Sequence, residues 1–333
     1  MFAISQRHRK TFQKGPDAIR SALFFIGVLM GVSPAAGKTN DPPSSNSSWY
    51  DRGHHSLSEQ VIKSGNWFDA FFGDERIEEE VKGTRLRLRT SLKVEEGVDV
   101  KPRASFNLKL ALPQLEDRLQ IIIDSVRRDE EDTDDTERIE NSFGSLEDDF
   151  DVSAATRVVL GKILDSQLDF DVGMKLKVDQ ADPFVKLRTK KIFDNDQLAI
   201  RVTQFLVWQS GDGFGETTRF DLDTTLSEDR FLRFSTAATW SEVSHGVEFE
   251  NQLSLYKHLN TSKRAIGLEI STETQTNPGE LNLVRTLVRY RQRIHRDWMF
   301  FEIAPEAQFP EDRDFNFTPR LTFRLDIMYG DYK

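Results

Sequence analysis

Groups that could do chemistry recur through this 333-residue sequence at a fixed spacing. In TRLRLRTSLKVEEG, Arg85, Arg87, Arg89 and Lys93 are separated by Leu86, Leu88, Leu92 and Val94. In QLDFDVGMKLKV, Asp169, Asp171, Lys175 and Lys177 are separated in the same way by Phe170, Val172, Met174, Leu176 and Val178. The same parity gathers Lys109, Arg157, Lys186, Arg188, Arg201, Arg219, Arg233, Arg285, Arg289, Arg291 and Arg324 on one face. Asp221, Asp223, Glu248, Glu250, Glu269, Glu302 and Asp326 join them. Bases outnumber acids in this set, although the whole chain carries a formal charge of -10. Such a face can act in two ways. It can line a passage with a positive field that favours anions, because rings of charge set the selectivity of a pore, or it can close into a salt-bridge network that fills an interior.

Other chemistries find less support. A nucleophilic triad needs Ser, His and an acid at one level, but Ser244 and His245 sit in a connection on one side of the pattern while His258 and His295 sit on the other. The chain is therefore not expected to be an enzyme. No cysteine is present, which excludes disulfides, thiolate metal sites, a cysteine nucleophile and a lipoprotein anchor. RRDEEDTDDTERIENSFGSLEDDFD holds twelve carboxylates and three arginines. Carboxylate oxygens suit calcium and magnesium, yet the spaced order of an EF-hand loop is missing, and the stretch reads as a solvated loop. No metal or cofactor is expected. The acidic balance argues against nucleic-acid binding, which calls for a basic stripe.

The elements that would position these charges follow from the period. Alternation at every second residue is that of a strand with two unlike faces. It recurs from Gly83 onward in about fourteen segments of roughly ten to thirteen residues, the length that crosses a bilayer at a tilt, whereas globular strands average about five or six. The connections alternate as well. PQLED, DSQ, FDNDQ, SEDR, HLNTSK and HRD are short; those between them are longer on average. Short and long connections in alternation are the mark of an up-and-down transmembrane barrel. With fourteen strands both ends of the barrel fall on the short-turn side; twelve or sixteen are the neighbouring even counts. Trp208, Phe214 and Trp240 fall beside longer loops, and Phe231, Trp298 and Tyr329 beside short turns, as membrane-interface aromatics would. A soluble all-β sandwich is the competing architecture, and it calls for shorter strands with crossovers marked by Gly and Pro.

The N-terminus differs in character. Arg7, Arg9, Lys10, Lys14 and Arg20 precede ALFFIGVLMGV and then SPAAG, the order of a secretory signal. Cleavage is expected between Ala35 and Gly37, leaving residues 1–37 as signal peptide. Residues 38–55 read as a flexible tether. Residues 56–82 read as a helical segment opened by Ser56 and Glu59 at capping-box spacing, with Gly65 as an expected helix stop. Trp67, Phe68, Phe71 and Phe72 fall on one side of a helical turn or two. They suit either a plug or a periplasmic lid on the barrel of residues 83–333.

The last segment, PRLTFRLDIMYGDYK, sets Leu321, Phe323, Leu325, Ile327 and Tyr329 on one face. It resembles the terminal strand that outer-membrane barrels present to their assembly machinery, although it ends on Lys333 beyond Tyr332. NWFDAFFGDERIEEEVKGTRLRLRTSL is similar to the start of uncharacterised, porin-like outer-membrane barrel proteins of Gram-negative bacteria. That resemblance implies lipid and lipopolysaccharide as surroundings and the barrel-assembly machinery as a partner. It brings no activity and no oligomeric state. The functional expectation is a narrow channel for passive passage of small, preferentially anionic solutes. The alternative is a non-conducting structural barrel that presents its acidic loop or N-terminal helix to a partner.

Overall fold

A strand that alternates charge with hydrocarbon can satisfy both faces in a bilayer only if the sheet closes, since lipid offers no hydrogen bonds to an open edge. The computed structural model has this closed form. It describes residues 49–72, 83–95, 97–112, 119–127, 150–163, 166–176, 181–195, 197–244, 246–259, 263–276 and 279–330. The expected signal peptide, most of the tether, residues 73–82, Lys177 and nearly all of the acidic stretch lie outside them.

Helix α1 (Trp49–Phe72) precedes fourteen strands. These are β1 (Arg85–Glu95), β2 (Val98–Ala111), β3 (Leu119–Arg127), β4 (Phe150–Ile163), β5 (Ser166–Leu176), β6 (Ala181–Asn195) and β7 (Leu198–Gln209). After them come β8 (Gly213–Ser227), β9 (Arg230–Ser241), β10 (Val247–His258), β11 (Arg264–Gln275), β12 (Glu280–Arg293), β13 (Met299–Pro310) and β14 (Thr318–Gly330). Each strand pairs with its sequence neighbours, and β14 returns to β1, so the antiparallel barrel is closed. The seam pairs Arg85 with Gly330 and Glu95 with Arg320. Gly330 has φ +103, and a Cβ there would meet the Thr84 carbonyl oxygen at 2.1 Å, so only glycine fits where the ends join.

Register makes every row single-faced, because paired residues point to the same side. Arg87 pairs with Met328 and Arg89 with Asp326, all buried, while Leu88 pairs with Ile327 on the outer face. Large apolar residues stand exposed on the outer rows, as at Leu92, Phe220, Leu253 and Ile270. An arginine turned outward would cost about 2–4 kcal/mol at the bilayer midplane, and this fixes the register.

The helix differs from its sequence reading at its start and at Gly65. It begins at Trp49, within the stretch read as tether, and runs through Gly65 to Phe72. Gly65 is there for close approach: a Cβ in its place would meet the Phe231 ring at 3.2 Å. No helix among the described residues is long and apolar enough to cross a membrane.

Candidate functional site

The inward face is built of buried charge, and its densest part spans β10 to β14 and β1. Glu302 on β13 is its hub: it lies 3.1 Å from Arg289 and Arg291 on β12 and 3.1 Å from Arg324 on β14. Asp326 joins the next tier, 3.0 Å from Arg89 and 2.7 Å from Arg291. Glu269 accepts hydrogen bonds from Tyr256 at 3.0 Å and Gln252 at 3.2 Å, with Arg289 at 3.6 Å. Toward the outer rim, Glu95 meets Arg320 at 2.8 Å and Arg313 at 2.9 Å, while Arg285 is 3.9 Å from Glu306. Removing charges from water is compensated only where each finds partners, and here one carboxylate serves two or three guanidinium groups.

At the short-turn end the inward rows change from charged to apolar. Phe231, Tyr256, Ala265, Phe300 and Met328 form a socket that receives Phe68, Phe71 and Phe72 of α1, with Trp67 packed on its edge. Phe68 stacks on Phe231 at 5.7 Å and on Tyr256 at 5.5 Å, Phe71 meets Phe300 edge-on at 5.6 Å, and Trp67 lies over His258 at 3.7 Å. Burying each phenylalanine contributes about 1.5–3 kcal/mol. Cations cap the aromatic cluster, with Arg289 over Phe72 at 4.9 Å and Arg291 over Phe300 at 4.7 Å.

Polar bonds fix the helix as well. Asp69 accepts from Arg233 Nη2 at 3.1 Å, and the same guanidinium donates to Asp223 at 2.6 and 2.8 Å. Arg289 donates to the Phe72 carbonyl at 3.0 Å, satisfying an end-of-helix acceptor. The aromatic residues read as plug or lid therefore reach into the barrel's short-turn end.

The opposite wall is looser. On β2 to β6, Arg103, Asn107, Asp124, Lys175 and Lys186 on the inward face of the outer half are half-buried, while Asp182 at the outer end of β6 is buried. Asn107 donates to Asp124. Nearer the short turns the same wall tightens at buried Lys109 and Gln120, with Arg157 bidentate on Asp171 at 2.7 Å and Arg188 at 2.8 Å from Asp169. A partly accessible vestibule thus narrows to a ring of paired charges.

The remaining sequence-predicted positions fall as follows. Arg85 and Arg87 are buried on the inner face of β1; Arg201 on β7 pairs in register with Asp221, and Arg219 is 3.5 Å from Asp221. Glu248 and Glu250 are on the inner parity of β10 near its outer end, Glu248 exposed. Trp208, Phe214, Trp298 and Tyr329 are exposed on the outer face, and Trp240 shares their parity; Trp298 stacks on Tyr329 at 5.4 Å.

Phe231 is a correction: it is fully buried in the helix socket and not at the lipid interface. Proximity to a short turn suggested a rim residue, but its pairing with Tyr256 places it on the inward parity. Asp69, Tyr256, Phe300 and Met328 were missed. The available signal was a ring of aromatic and apolar residues at one end of an otherwise charged face. Ser244 serves its own turn, donating to the Gly246 carbonyl at 2.9 Å while accepting from the Ser241 amide at 3.0 Å.

No family model matches the chain, and no curated protein matches it. Among solved structures, it is similar to a loop-deletion mutant of OmpT, an outer membrane protein of Vibrio cholerae, at 12% identity over 75% of this chain and 100% of that one, with a TM-score of 0.41. Pseudomonas aeruginosa OccK10 is matched at 7% identity over 75% and 100%, with a TM-score of 0.44. CdiB from Acinetobacter baumannii is matched at 7% identity over 75% of this chain and 60% of that one, with a TM-score of 0.46. The barrel's own geometry carries the assignment: closed antiparallel strands, an apolar outer band and aromatic rims are what a sheet in the outer membrane requires. The chain is a closed antiparallel β-barrel of fourteen strands, with lipid-suited outer rows and a helix held in its short-turn end.

Proposed function

We propose that the barrel is a narrow passage for small anionic solutes whose short-turn mouth is closed by α1. The observation that carries this reading is the Asp69 carboxylate on Arg233. A negative group of the protein itself occupies a lumenal cation, beside Arg289, Arg291 and Arg293, which ring the helix aromatics. Withdrawal of the helix would present those guanidinium groups to a solute, and a positive constriction favours anions. Lys175 and Lys186 in the outer vestibule would supply the first attraction. Export through a signal peptide cleaved between Ala35 and Gly37 leaves α1 on the periplasmic side, where short turns lie. The terminal strand is the segment for the assembly machinery.

The second reading is a non-conducting barrel that anchors α1 or the acidic outer stretch for a partner. The ion-pair network around Glu302 favours it, since a wall so joined has little room for a path. Single-channel recording in a planar bilayer separates the two. The mature chain should open rarely, and Asp69→Asn combined with Phe68→Ser should give long-lived, anion-selective openings. If both proteins are folded and heat-modifiable yet never conduct, the channel reading fails and the anchoring one replaces it.

A further inference from the structure

At the short-turn rim the outward face carries a cluster of cations. Arg230 opens β9, Arg264 opens β11, and Lys257 stands one residue from the end of β10. Lys257 pairs in register with Arg230 and with Ile266, and the Leu259 amide donates to the Arg264 carbonyl at 3.0 Å, so the three occupy neighbouring strands at one end. Neighbouring strands lie about 4.8 Å apart, which gives the trio a span of about 10 Å. Next to them in the chain, Phe231, Tyr256 and Ala265 are buried in the helix socket, so alternation turns Arg230, Lys257 and Arg264 outward. Arg264 is exposed, and the side chains of Arg230 and Lys257 are 54% and 43% accessible.

This rim does not balance its own charge. Arg230 and Lys257 stand directly opposite each other, an arrangement that is unfavourable for like charges. They share one carboxylate, Asp229, at 3.9 Å from each. Among the described residues Arg264 forms no ion pair. Lys263 and Glu228, both exposed, complete the two turns, so four cations stand there against two carboxylates. Toward the bilayer the outward rows continue in hydrocarbon: Leu255 pairs with Leu232 and with Leu268, beside Ile266. On the adjoining strands β12 to β14 and β1, the outward residues at this end are Gln292, Met299, Tyr329 and Leu86, none of them charged.

We propose that the outward end of β9 to β11 is a binding site for an anionic phospholipid of the periplasmic leaflet, with phosphatidylglycerol as the simplest member of that class. The phosphodiester lies among Arg230, Lys257 and Arg264, whose long side chains reach out from the strand ends. The acyl chains run along Leu232, Leu255 and Leu268. A zwitterionic lipid brings its own ammonium, which offsets the attraction, so an anionic headgroup is preferred. The cations are displayed from a fixed frame, because α1 packs on the inward side of the same three strand ends, and less freedom is lost on binding. A free anion would meet the charges but not the aliphatic strip. The site requires that the short turns face the periplasm, and it is independent of whether the lumen conducts.

The test uses the mature chain in phosphatidylcholine nanodiscs doped with photoactivatable phosphatidylglycerol. Crosslinked peptides should concentrate on β9 to β11 at the short-turn end. Arg230→Gln, Lys257→Gln and Arg264→Gln together should lower capture about ten-fold or more, while the unheated band keeps its folded mobility. Arg264→Gln alone, which breaks no ion pair among the described residues, should lower it partway. Replacing chloride with inorganic phosphate at constant ionic strength should leave capture unchanged. Crosslinks spread evenly around the barrel, equal capture of a photoactivatable phosphatidylcholine, capture untouched by the substitutions, or capture lost to phosphate would each overturn the proposal.

Discussion

The two walls of the lumen use one alternating pattern to opposite ends. From β10 to β14 and β1, three arginines converge on Glu302 and two on Asp326, all nearly inaccessible. From β2 to β6, Lys175, Lys186 and Asp124 keep partial contact with solvent in the outer half. Both walls are built from the same residue types, so what differs is the stoichiometry of partners. Where one carboxylate bridges several guanidinium groups the side chains interlock and exclude water. Where cations are spread along a strand opposite small residues, as Lys175 is opposite Ser153, the side chains keep partial contact with solvent.

That contrast can be broken most forcefully at its hub. Glu302→Ala removes the shared partner of three buried guanidinium groups, and breaking a buried ion pair costs about 3–5 kcal/mol. The midpoint of the heat-modifiable mobility shift should therefore fall well below that of the parent, and an unchanged midpoint would show that the dense wall is not a network. Next is the helix. Phe71→Ala takes an aromatic ring out of a packed socket, where such truncations cost about 3–5 kcal/mol at most. Because the barrel remains closed without it, the loss should appear as protease access to α1 while the heat shift is kept. Asp69→Asn should act in the same direction more weakly: Arg233 retains Asp223, and the helix loses one charged contact worth about 1.5–3 kcal/mol. The smallest stability effect belongs to the open wall. Lys175→Ser with Lys186→Ser should move the midpoint by under about 1 kcal/mol per site, as for solvent-screened charges. The same pair should reduce anion preference in bilayer recordings of the Asp69→Asn, Phe68→Ser protein. A large loss of stability there would mean the two walls are alike after all.

Much of this architecture was legible in the residues alone. Strand period, strand length and the alternation of short with long connections are local properties, and they sufficed for a closed barrel of fourteen strands with leucines outward and arginines inward. The reason is physical: hydrocarbon and water are so unlike that each strand must declare its faces in its own sequence. The choice between a positive passage and a salt-bridge filling was not local. Arg291 and Arg201 look the same in the chain; only the folded barrel brings Glu302 and Asp326 together at the first. Phe231 taught the same lesson, since one residue of parity separates a lipid anchor from the floor of a helix socket. Gly65 did too, read as a helix stop and found where the helix presses on that ring. Sequence alone therefore determined which face each strand turns to lipid, because a single strand's alternation encodes it. Only tertiary structure decided which charges share partners and where the helix is seated, because those depend on residues brought together from strands far apart in the chain.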